Sequence, residues 1–134
     1  RSSKRSGAWM TTLRDQDTID GNTRPLVVNV MNFSKGGAGE PSLLSFDDAR
    51  TLFHEFGHAL HGMLSDVTYP AISGTSVLTD WVELPSQLYE HWRMTPAVLG
   101  SFAVHASTGE PKPRALREQL NGAERLAQGS STLV

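Results

Sequence analysis

Two imidazoles four residues apart, His54 and His58, bracket a carboxylate, Glu55, that directly follows the first. On an α-helix, positions i and i+4 lie one above the other on a single face. Such a pair can bring two ring nitrogens to one tetrahedral Zn²⁺, each at about 2.0–2.1 Å. Glu55 then lies roughly 100° around the helix from His54, beside the open side of the metal. From there it can take a proton from an attacking water. This H-E-x-x-H spacing predicts one zinc ion per chain and metal-assisted hydrolysis, most often of a peptide bond.

A catalytic zinc usually takes three protein ligands and keeps a fourth position open. The metzincin pattern supplies its third histidine six residues after the pair and wants glycine at position 61. Leu64 and His61 stand at those places, which excludes that class. His61, three residues after His58 on the same helix, is badly placed to complete a tetrahedron with both other histidines. A carboxylate from a second helix remains, and the downstream candidates are Asp66, Asp80, Glu83 and Glu90. Glu83 stands out. Thr79 can cap a helix there, Trp81, Leu84, Leu88 and Trp92 make its apolar stripe, and Glu83, Gln87 and Glu90 share a different face. Pro85 requires that helix either to begin near Glu83 or to kink. Gln87 and Glu90 are candidates to orient a ligand. Ser86 has no base placed for it and is not read as a nucleophile. His91 and His105 lack ligand spacing.

The helix that must carry the histidine pair is well marked. Ser45 is its expected N-cap, with Asp47 and Asp48 in the first turn, where the helix dipole favours negative charge. Ala49, Leu52, Phe53, Phe56, Leu60, Met63 and Leu64 fall within a sector of about 120°, the expected core stripe. His54, His58 and His61 project to the other side, toward water or a cleft. Gly57, between the histidines, costs about 1 kcal/mol against Ala, a cost that a close-packed neighbour or a substrate near that face would explain. Gly62 marks the approach of the helix end, and Pro70 forbids continuation.

The run Phe53-His54-Glu55-Phe56-Gly57-His58-Ala59-Leu60-His61 is followed by Asp80-Trp81-Val82-Glu83-Leu84-Pro85-Ser86-Gln87. Together they resemble the thimet oligopeptidase, oligopeptidase A and peptidyl-dipeptidase Dcp family of zinc metallopeptidases. The likeness extends to Ser6-Gly7-Ala8-Trp9-Met10, Thr23-Arg24-Pro25, Gly39-Glu40-Pro41-Ser42-Leu43-Leu44, Ser73-Gly74-Thr75 and Glu90-His91-Trp92, and it leans toward the bacterial Dcp branch. The resemblance implies His54, His58 and Glu83 as zinc ligands and Glu55 as general base. It implies a mainly α fold with a small β element, a zincin-type H-E-x-x-H helix and a second helix bearing the glutamate, all within a larger helical peptidase. Release of C-terminal dipeptides from short peptides is then expected, with endo-acting cleavage as the alternative. Family members are several times longer than 134 residues, so residues 1–134 are expected to be a partial catalytic domain, truncated at both ends. The family's oxyanion and carboxylate-gripping residues would lie beyond Val134. A catalytically inactive zinc-binding fragment and a metal-free interaction module are the competing readings.

Composition excludes other classes. A net charge of −2, with no basic run, gives no nucleic-acid or anionic-membrane signal. No apolar stretch approaches the roughly 20 residues of a membrane span. The absence of Cys removes disulfides and thiolate ligands and fits a cytoplasmic location, with the full-length enzyme expected as a monomer. Residues 1–24 read as polar and turn-rich, with a turn at Asp20-Gly21-Asn22. Leu26–Met31 reads as a short strand buried on both faces. Lys35–Gly39 is a glycine-rich connector, and no Gly-Lys-Ser/Thr follows to make it a phosphate loop. The loop or the strand edge could pair with substrate backbone. Ser73–Ser76 is read as a turn or a flap. Thr95-Pro96 opens a further helix, Gly109–Pro113 breaks it, and a last helix carries Leu116, Leu120, Ala123 and Leu126. Trp9, Trp81 and Trp92 are read as core anchors.

Overall fold

The structure, a computed structural model, describes residues 7–131, and the side chains of Asn121 and of residues 124–131, Leu126 among them, lie outside that description. Two strands and four α-helices follow in the order β1 (Ala8–Arg14), β2 (Leu26–Met31), α1 (Phe46–Met63), α2 (Thr79–Trp92), α3 (Pro96–Phe102) and α4 (Arg114–Ser131). The mainly α class with a small β element is thus observed. Residues 1–93 and 94–134 form two compact units.

In the first unit, β1 and β2 pair antiparallel from Ala8↔Met31 to Arg14↔Leu26, with an irregularity between Thr12 and Arg14. β1 was not foreseen, because the 1–24 segment carries no clean alternation. Its strand character comes from pairing with β2, a tertiary effect that outweighs local pattern. The expected turn is present: Gly21 takes φ 128°, and the chain closes with a bridge between Asp17 and Thr23. β2 is the expected strand, but Leu26 and Val28 are exposed, so it is not buried on both faces.

α1 begins at the expected cap. The Ser45 hydroxyl accepts from the Asp48 N–H at 3.0 Å, and the Asp48 carboxylate accepts from the Ser45 N–H at 3.0 Å. This reciprocal pair satisfies two groups that a helix start leaves open. α1 then packs on both strands and on α2. The packed face corrects the sequence reading. Glu55, Gly57, His58, Ala59 and Gly62 are the buried residues, whereas Leu52, Phe56, Met63 and Leu64 of the apolar stripe are exposed. Close helix contact needs small residues at the crossing, and these lie on the histidine side rather than on the stripe. Two of the expected tryptophan anchors are likewise mostly exposed, Trp81 at 60 % and Trp92 at 56 %.

The chain between α1 and α2 returns along the end of α1. Ser73–Ser76 is a turn, closed by the Ser76 N–H donating to the Ser73 carbonyl at 3.0 Å. Gly74 there takes φ 53°, and a Cβ on it would stand 3.0 Å from the Gly62 Cα. The segment is packed, not a flap. α2 starts one residue earlier than expected, with Leu78 rather than Thr79 at the cap. It begins before Glu83 and continues past Pro85, which lies inside the helix. At its end, the Arg93 guanidinium sits 4.3 Å from the Phe46 ring centroid, tying the start of α1 to the end of α2.

In the second unit, Pro96 occupies the first turn of α3 after Thr95, as read from the sequence. A bridge between Val104 and Pro111 spans the expected break before α4. No helix among the described residues is long and apolar enough to cross a membrane.

Candidate metal centre

The two motifs meet where α1 crosses α2. The crossing is set by Gly57, since a Cβ there would stand 2.5 Å from the Ser86 Cα and 2.8 Å from the Pro85 carbonyl oxygen. No real side chain fits that space. The glycine that costs helix propensity therefore allows two backbones to touch.

At this crossing His54, His58 and Glu83 converge. The His54 and His58 Nε2 atoms are 3.1 Å apart, and the Glu83 Oε2 lies 3.4 Å from the first and 3.5 Å from the second. A tetrahedral ion with bonds of about 2.0–2.1 Å needs its ligand atoms about 3.3–3.4 Å apart. The observed triangle has that size, and two imidazoles with one carboxylate form a donor set suited to a divalent cation. The cluster can therefore hold a metal ion. Asp66 and Asp80, the other carboxylates considered, are exposed and stand outside this cluster. Asp80 instead accepts from the Trp81 N–H at 3.0 Å.

Neighbouring side chains fix the geometry. The His54 Nδ1 pairs with the Glu90 Oε1 at 2.6 Å. With its proton on Nδ1, shared with the carboxylate, His54 turns the lone pair of Nε2 toward the triangle. Of the two residues considered as orienting partners, Glu90 is the one engaged, while the Gln87 side chain is exposed. His58, 9 % exposed, leaves its Nδ1 buried with no hydrogen-bond partner among the described residues. Burial, with His58 as a second cause, holds the His61 imidazole below its ordinary value. Glu55 is also 9 % exposed, yet its carboxylate makes no hydrogen bond or ion pair among the described residues.

One contributor escaped the sequence reading. Ser86 has no exposure, and its hydroxyl lies 2.9 Å from the Glu83 carbonyl oxygen and 2.8 Å from the Glu83 Oε2. Its position three residues after Glu83 on a helix was the available signal. Neither His91 nor His105 is among the clustered residues. The His91 Nδ1 donates to the Gln87 carbonyl at 2.8 Å, and His105 bonds within its own turn.

Comparison with known proteins gives a consistent set of relatives. The sequence profile of Peptidase family M3 matches residues 1–134. The chain is 43% identical to the dipeptidyl carboxypeptidase of Escherichia coli K12 over 129 residues, covering 96% of this chain and 19% of that protein. It is 41% identical to oligopeptidase A of the same organism over 127 residues, covering 92% of this chain and 19% of that protein. It is 47% identical to mitochondrial intermediate peptidase 1 of Cryptococcus neoformans over 89 residues, covering 66% of this chain and 12% of that protein. The chain thus spans about a fifth of the length of the two bacterial relatives.

Proposed function

The chain belongs to peptidase family M3, and on that premise we propose that it carries the zinc centre of a larger helical peptidase that hydrolyses short peptides. Residues 1–134 are then a partial catalytic domain. In this reading His54, His58 and Glu83 are the metal ligands and Glu55 is the general base. One observation carries it: three ligand atoms from two helices form a triangle of 3.1, 3.4 and 3.5 Å.

When bound, zinc acts as a Lewis acid on the scissile carbonyl and activates water near neutral pH. Glu55, next to His54 and without a competing partner, accepts the proton of the attacking water. As the carbon–oxygen bond forms and the carbon–nitrogen bond breaks, Glu55 returns that proton to the departing amine. Glu90 keeps the His54 ring in the tautomer the metal needs.

For the whole protein we assign release of C-terminal dipeptides. Support comes from Trp81 in Asp80–Gln87, from Trp92 in Glu90-His91-Trp92 and from the 43% identity to a dipeptidyl carboxypeptidase. The 41% identity to oligopeptidase A keeps internal cleavage as the second reading. Peptides with free and amidated C-termini separate the two. Dipeptide release that requires the free carboxylate supports the first, and equal cleavage of both peptides supports the second.

Metal content tests the site itself. One zinc per chain is expected in the wild type after reloading, and Glu83→Ala should lose it. Glu55→Gln should keep zinc and lose hydrolysis. Stoichiometric zinc in Glu83→Ala overturns the ligand assignment.

A further inference from the structure

The Pro85-Ser86-Gln87 end of the second motif has no part in the reaction above, yet Ser86 is the most enclosed side chain at the crossing. We propose that Ser86 is a positioning residue, whose hydroxyl holds the Glu83 carboxylate in its metal-ready rotamer before any ion arrives. This rests on Glu83 being a ligand.

Burial does not hold that carboxylate, because the Glu83 side chain keeps 36% exposure. A glutamate so exposed samples several rotamers unless something fixes it. The only hydrogen-bond donor that the described residues bring to its Oε2, apart from the histidine rings, is the Ser86 hydroxyl at 2.8 Å. That hydroxyl has one hydrogen and two acceptors within reach, the Glu83 carbonyl at 2.9 Å and its carboxylate. The charged oxygen is the stronger acceptor. Ser86 itself cannot drift. Its Cα lies against Gly57 of α1, so close that a Cβ on Gly57 would stand 2.5 Å away. The same contact that sets the distance between the helices thus anchors the group that aims the carboxylate. His54 and Glu83 are each held from α2, by Glu90 and by Ser86. Metal sites depend strongly on such outer partners, whose loss typically weakens metal binding about 10–100-fold.

The test uses the full chain as wild type, Ser86→Ala and Glu83→Ala. Zinc affinity is measured by chelator competition, the visible spectrum is recorded with Co²⁺ in place of zinc, and metal-free melting and far-UV dichroism are followed. The expected result is zinc binding about 10–100-fold weaker in Ser86→Ala, with a changed Co²⁺ spectrum and a metal-free melting point close to wild type. Affinity within twofold of wild type overturns the proposal. So does weaker binding with an unchanged Co²⁺ spectrum and a lowered metal-free melting point, or loss of helical signal, since each assigns the hydroxyl to the fold alone. If the wild type takes up no zinc, or Glu83→Ala binds as tightly as wild type, the ligand assignment itself fails. Loss in Glu83→Ala with no change in Ser86→Ala sinks only the positioning role.

Discussion

At the scale of single residues, in the proposed reading, the site separates groups that bind the metal from a group that reacts. His54, His58 and Glu83 face one point, whereas Glu55, the residue after His54, is buried and makes no hydrogen bond or ion pair among the described residues. Removing a ligand and removing the base should therefore fail differently. Glu83→Ala abolishes metal uptake, while Glu55→Gln lowers turnover by about 10²–10⁴-fold at full zinc occupancy. Elemental analysis beside a peptide assay distinguishes the two. His61 gives a separate, acid-side signature. Burial, and then His58, lowers its pKa from 6.5 in the folded chain, so the unfolded chain binds the proton more readily. Stability is complete above the unfolded value and declines as pH falls through the lower folded one. The metal-free protein should melt at a lower temperature at pH 5 than at pH 7.5, and His61→Gln should reduce that difference. An unchanged pH dependence in the variant removes His61 as its source.

At the scale of elements, the crossing of α1 and α2 decides whether the ligand atoms meet. Gly57→Ala should improve helix propensity by about 1 kcal/mol, yet force the backbones apart at a cost of about 1–3 kcal/mol. The expected outcome is a lower melting temperature together with weaker zinc binding, because α2 carries Glu83 away from the histidines. A variant that melts higher and binds zinc normally would show that the crossing relaxes freely. Much of this was legible in the sequence. The Ser45 cap, the histidine spacing, the candidacy of Glu83 and the helix start at Thr95-Pro96 all follow from local chemistry. Three of the readings that failed have a clear physical reason. β1 has no periodicity of its own and exists through its partner. The inward face of α1 was misjudged because a tight crossing selects Gly and Ala, not the bulky stripe. Ser86 is not a nucleophile, and the i,i+3 spacing that brings its hydroxyl to Glu83 is shared by many exposed helical serines and does not by itself mark a contact.

At the scale of the molecule, apolar surface is left uncovered. Trp81, Leu84, Leu88 and Trp92 form one stripe along α2, and each is more than half exposed. Patches of this kind drive association in water. The 134-residue chain on its own should sediment as oligomers, and Leu84→Glu with Leu88→Glu should shift it toward the monomer without changing zinc content. Monomeric wild type at high concentration would contradict this. The position of the ligands along the chain has another consequence. His58 and Glu83 are 25 positions apart, so an ion shared between them closes a loop through the whole α1–α2 connection. By the loop-closure relation used for covalent cross-links, a ring of that length restricts the unfolded chain by roughly 3–4 kcal/mol. In that sense the centre is also a reversible clasp. The glycine turn at Gly74, packed on Gly62, lies inside that ring, so a cation bound by these ligands would also govern how readily this part of the chain comes undone.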